Sequence, residues 1–188
     1  MLSILLALAV DNWTEGRRHQ QLAQQSLQIF ERELRQNLAA VEDVAPYHTG
    51  LRNVVAEAIE NPAQAADMRS IVEGLKTVRL RRTAWETALA SGALTHIDVE
   101  KISRLSLTYD MQEGFRQLTL AAAQRFPIGF ENDTAARDRN VRDIYSYLSE
   151  LVAAEEELIG IYTQAIGMIR SGLREPIRPG GNVVTPSP

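Results

Sequence analysis

Three histidines, a run of three glutamates and a cluster of three arginines are the residues of this sequence best suited to chemistry. His19, His48 and His96 fall on an expected helix, turn and loop. None has a second histidine or a carboxylate at the H-E-x-x-H or E-x-x-H spacing that sets zinc or iron ligands on one helix face. Each therefore reads as a surface or capping residue, and no metal is expected. Cysteine is absent, which removes thiolate metal sites, disulfides and a cysteine nucleophile. The sequence has no G-x-G-x-x-G, P-loop or G-x-S-x-G elbow, and no Ser, His and Asp group that invites a triad. Neither a catalytic residue nor a cofactor is expected, and the chain is not read as an enzyme.

Glu155-Glu156-Glu157 is the densest acidic run, and most of it reads as a solvated helix face. Glu155 is the exception, because heptad counting places it on an apolar seam between Leu151 and Leu158. A carboxylate there needs a partner or local water, since an unpaired buried charge is costly. A basic residue from a neighbouring helix, a seam that opens at that level, or a ligand contact would each satisfy it. Glu155 is thus the candidate buried polar site. The cluster Arg79-Leu80-Arg81-Arg82, with Trp85 nearby, has too few aromatics and arginines for a nucleic-acid groove. A net charge of −4 points the same way, so nucleic acid is not an expected partner. The cluster reads as a helix-end charge arrangement and Trp85 as a core anchor.

The elements that would position these residues are helices. The 188 residues are rich in alanine, leucine, glutamate, glutamine and arginine, which lose least on entering a helix, and period-two β-branched runs are missing. Leu27, Leu34 and Val41 recur every seven residues, with Ala23, Phe30 and Val44 between them, a coiled-coil-like seam interrupted by Asn37. Pro46 is expected to end this helix and Tyr47-His48-Thr49-Gly50 to form a turn. A short helix should follow over about 51–60. Asn61-Pro62 should open another running to about Leu80, with Met68, Ile71, Val72, Leu75 and Val78 on one face.

Thr83-x-x-Glu86 fits a capping box for a short helix carrying Trp85 and Leu89, closed by Gly92. Asp98 should cap a helix over about 99–125, which Phe126-Pro127-Ile128-Gly129-Phe130 breaks. The last helix, about 134–173, has Val141, Ile144, Leu148, Leu151, Leu158, Tyr162, Ala165 and Ile169 at alternating three and four spacing. Tyr145, Val152, Ile159 and Ile166 widen that stripe. The fold class is all-α: an elongated helical bundle with long first and last helices and shorter helices between.

Residues 1–10 read MLSILLALAV, without charge. Crossing a bilayer takes about 20 apolar residues, so ten reach only half way. A secretory signal ending at Ala7-Leu8-Ala9 fits poorly, since signals run about 15–30 residues and begin with positive charge. Two readings remain: the first turns pack into a soluble core, or they are the C-terminal half of a transmembrane helix whose remainder lies upstream. The flank favours the second. Trp13 suits the hydrocarbon–headgroup boundary, and Arg17 and Arg18 can sit among phosphates. These three are the candidate membrane-interface residues, and membrane lipid is an expected partner.

The stretch Leu6-Ala7-Leu8-Ala9-Val10-Asp11-Asn12-Trp13-Thr14-Glu15-Gly16-Arg17-Arg18 resembles the N-terminal signature of a family of uncharacterised bacterial single-pass membrane-anchored helical proteins. In that family a transmembrane helix ends in Ala-Leu-x-x-[Asp/Asn]-Asn-Trp and runs into a charged helix. The segment Thr83-Ala84-Trp85-Glu86-Thr87-Ala88-Leu89-Ala90-Ser91-Gly92-Ala93-Leu94 is similar to the family's mid-domain segment. The resemblance implies topology and no activity. It implies a bacterial inner-membrane protein with a periplasmic body, although the N-terminal half of the span and the basic segment before it are not present here. The domain expectation is a partial anchor at 1–13, a helical bundle at 14–174 and a disordered tail at 175–188. The functional expectation is a membrane-anchored interaction, sensory or scaffolding module, pairing with a helical protein partner or with its own copies. The alternative is a soluble helical ligand-binding or regulatory protein with residues 1–10 packed in its core.

Overall fold

The computed structural model describes residues 2–61, 75–125 and 134–174. They form α1 (Leu2–Glu60), α2 (Thr83–Ala90), a 3₁₀ turn (Ala93–His96), α3 (Val99–Arg125) and α4 (Thr134–Arg174). The described residues contain no strand. The fold is an all-α bundle with a long first and last helix and shorter elements between.

α1 is one helix where two were expected, and Pro46 lies inside it. The expected turn at residues 47–50 is helical. A proline removes one backbone hydrogen bond and crowds the preceding turn. Here that loss falls on the solvent face, because Pro46 is exposed. The opposite face carries an unbroken seam: Ala23, Leu27, Phe30, Leu34, Asn37, Val41, Val44, His48, Leu51, Val55 and Ala58 alternate at four and three residues. All are buried except half-buried Leu51. Tertiary packing on both sides of the proline therefore outweighs its local penalty.

α4 repeats the pattern with Val141, Ile144, Leu148, Leu151, Glu155, Leu158, Tyr162, Ala165 and Ile169, all buried. Val152 and Ile166 are buried and Ile159 half-buried, so the stripe is wide as expected. Tyr145 is not part of it, being 38% exposed, while Tyr147 and Ile161 are buried instead. Among the described residues the α1–α4 interface is the most extensive, followed by α3 on α4.

The contacts between elements fix the chain directions. α1 and α3 run parallel, since Glu33 meets Tyr109 and Asn37 meets Gln112. α4 runs against α1, since Glu31 meets Arg170 and His48 meets Glu155. Residues 75–96 descend along α1 between those two directions, from Arg81 beside Asn37 to His96 stacked on His19. The path is up, down, up, down, as in a four-helix bundle, and the described part of its second member is non-helical over residues 75–82.

That second member departs from expectation. Residues 75–82 are not helical, although a helix was expected to reach Leu80; Met68, Ile71 and Val72 of that helix lie outside the described residues. The expected break at 126–130 and the tail at 175–188 also lie outside them. α2 buries Ala84 and Ala88, whereas Leu89 is 56% exposed. Trp85 packs between Phe30 and Tyr109, with ring centroids 6.3 and 5.5 Å away, and so serves as the expected core anchor. Gly92 adopts a left-handed conformation (φ 69°) just after α2, as a C-terminal glycine should. Asp98 Oδ1 accepts from the N–H groups of Glu100 and Lys101 at 3.0 and 3.3 Å, capping α3.

A buried polar seam as the candidate functional site

The unwound stretch has backbone groups that no helix satisfies, and buried backbone groups need partners. Asn37, the residue that interrupts the α1 seam, supplies them. Its Oδ1 accepts from the Arg81 N–H at 2.9 Å, and its Nδ2 donates to the Arg81 carbonyl at 2.7 Å. Gln112 Nε2 donates to the same carbonyl at 3.0 Å. Gln112 Oε1 in turn accepts from Asn37 Nδ2 at 3.0 Å and from the Tyr162 hydroxyl at 2.9 Å. One side-chain layer thus joins α1, α3 and α4 to the backbone of the second member.

Glu33 does the same job one turn earlier. Its Oε2 accepts from the Ala84 N–H at 2.9 Å, in the first turn of α2, and its Oε1 accepts from the Tyr109 hydroxyl at 2.7 Å. The expected capping box at Thr83 and Glu86 is not formed: Arg82 occupies the N-cap, with no side-chain cap bond. A carboxylate from α1 replaces the local cap and satisfies a donor at the helix N-terminus. Burial and the hydrogen-bonded Glu33 carboxylate push the Tyr109 phenol far above its ordinary range, and burial does the same to Tyr162. Both stay neutral donors at any physiological pH.

Glu155 lies on the seam as expected, fully buried, and its partner is a basic residue of a neighbouring helix. That residue is His48, expected in an exposed turn but 1% exposed within α1. Its Nδ1 lies 2.6 Å from Glu155 Oε1. The other two polar atoms, His48 Nε2 and Glu155 Oε2, are buried and have no hydrogen-bond partner among the described residues. Burial, then the Glu155 charge, pushes the neighbouring Tyr147 phenol up to about 12. Chemically the pair is an imidazole oriented by a carboxylate, able to hold one proton between them.

The candidate membrane-interface residues lie at the other end of the molecule. Trp13 is 58% exposed, with the Arg17 guanidinium 4.2 Å over its ring, and Arg18 is exposed beside them. His19 and His96 stack at 3.8 Å where α1 first meets the 3₁₀ turn. The arginine cluster lies on the non-helical stretch that leads into α2, with Arg82 at its N-cap: Arg81 Nη1 donates to Gln36 at 2.9 Å, and Arg82 approaches Glu86 and Glu113. Among the described residues, no group of three or more histidine or acidic side chains could hold a metal ion, and no helix is long and apolar enough to cross a membrane.

Glu33 and Gln112 were not singled out by the sequence, and His48 was read as a surface or capping residue in a turn. For His48 a signal exists, because it falls four residues after Val44 in the phase of the seam. Glu33 and Gln112 carry no comparable mark. Comparison of the chain with protein-family models, curated proteins and solved structures gives no match.

Proposed function

We propose that this chain is a membrane-associated helical module that works by binding partners, with the start of α1 as its attachment and the bundle as its working body. The observation that carries the reading is the exposure of every residue from 10 to 18, on a helix continuous with the bundle. Residues 2–18 extend α1 by about 25 Å beyond His19. The exposed Trp13 and Arg17 have the chemistry of a headgroup boundary, with an amphipathic ring and a phosphate-seeking cation. The resemblance to membrane-anchored bacterial proteins supports an inner-membrane location with the body in the periplasm. The heptad regularity of α1 and α4 suits pairing with other helices, whether a partner's or a second copy's.

Flotation of the full chain with phosphatidylethanolamine–phosphatidylglycerol vesicles tests this. The chain should float with the vesicles. Arg17→Glu with Arg18→Glu should lower the bound fraction on the order of tenfold, at roughly 1 kcal/mol per basic residue near an anionic surface. Recovery of the unmodified chain wholly in the vesicle-free fraction would sink the reading. The competing reading, a soluble ligand-binding or regulatory protein, draws support from a cleft between residues 77–82 and α3.

A further inference from the structure

That cleft measures about 360 Å³ and its walls are of two kinds. Leu80, Phe115 and Leu120 give it apolar surface, while Arg79, Arg82 and Arg116 are the basic residues of its lining. The volume falls in the range of small-molecule sites, which pair an apolar lining with a few convergent polar groups. Its shape is set in advance, because Asn37 and Gln112 hold both backbone groups of Arg81. A wall held this way need not be ordered on binding.

The cleft already contains a carboxylate that shows how an anion is held there. Glu113 accepts from Arg116 Nε and Nη2 at 2.8 and 2.6 Å, a two-pronged contact, and from Gln117 at 3.1 Å. Those hydrogen bonds hold its carboxyl down at about 2, so it is ionised at neutral pH. Arg82 is only loosely engaged, 3.8 Å from Glu113 and 3.4 Å from Glu86. Arg79 is exposed on the same wall. Two guanidinium groups are therefore available to an incoming carboxylate, which they can grip with charge-assisted bonds.

We propose that this cleft binds a small amphipathic carboxylate, its head on Arg79 and Arg82 and its apolar tail across Leu80, Phe115 and Leu120. The ligand is a free molecule rather than a bilayer lipid. Asn37, which marks the level of the cleft, lies 24 residues along α1 from Trp13, about 36 Å at helical rise. Only the choice of a free ligand over a lipid takes Trp13 as the membrane level; carboxylate binding in the cleft does not rest on membrane attachment and stands or falls separately from it.

Titration calorimetry of the full chain with octanoate tests it, with octanol and acetate as the neutral and tail-less controls. Octanoate should bind saturably, and both controls at least about tenfold more weakly. Arg79→Ala with Arg82→Ala should weaken octanoate about tenfold or more, while the unfolding temperature holds because both side chains are exposed. Glu113→Gln should tighten octanoate several-fold, by releasing Arg82 and Arg116. No octanoate binding, octanol binding as tightly as octanoate, indifference to the double arginine change, or weakening by Glu113→Gln would each overturn the proposal.

Discussion

A buried histidine–carboxylate pair costs desolvation that its mutual attraction only partly returns, so such pairs are weak contributors to stability while intact. They become strong liabilities when one partner is removed. His48 and Glu155 sharpen that asymmetry, because each keeps one buried polar atom without a partner among the described residues. Glu155→Ala leaves both ring nitrogens of His48 unsatisfied in the core and should destabilise the fold by roughly 3–5 kcal/mol. Replacing both residues together, His48→Leu with Glu155→Leu, completes the apolar seam on α1 and α4 and should recover most of that loss. Denaturant unfolding of the two single variants and the double variant measures the coupling directly. A double variant less stable than Glu155→Ala would show that the pair is supported by further polar contacts. The burial of Glu155 was legible from heptad phase alone. Its partner was not, because reading Pro46 as a helix end removed His48 from the seam.

At the level of elements, legibility followed the distance between a residue and what it acts upon. Asp98 and Gly92 act on neighbours within three residues, and both ends they mark are where the sequence puts them. α2 is capped from Glu33, 51 residues away, so its own capping-box pattern misleads. Residues 75–82 contain good helix formers yet are not helical, and Asn37 and Gln112 satisfy the Arg81 backbone from two other helices. Pro46 is the converse case: a strong local breaker overruled by Val44, His48, Val55 and Ala58 packing on either side of it. If Pro46 is only tolerated, Pro46→Ala restores a hydrogen bond and should stabilise the protein, by up to roughly 3 kcal/mol and several degrees in Tm. An unchanged or lower Tm would mean instead that the proline sets a bend that α1 needs to bring His48 to Glu155.

Across the whole molecule, the bundle and the start of α1 obey different rules. From Ala23 onward α1 buries a residue every three or four positions, apart from half-buried Leu51; before His19, the side chains of residues 10–18 are all exposed. The register of α1 against α4 explains this. Glu31 meets Arg170, and α4 ends four residues later, so its last turn lies near Leu27. Among the described residues, only the 3₁₀ turn reaches further down, to His19. Residues 10–18 lie beyond that last packed layer and gain no burial, so they contribute little to the free energy of folding. Deleting residues 2–18 should therefore leave the thermal transition within about 2 °C of the full chain while abolishing vesicle flotation. The same experiment separates the two functional readings. If residues 1–10 packed into a soluble core, the deletion would lower Tm by more than about 5 °C, since several apolar side chains would lose their burial. An unchanged Tm with lost flotation is the outcome that a bundle carried on an attachment helix requires.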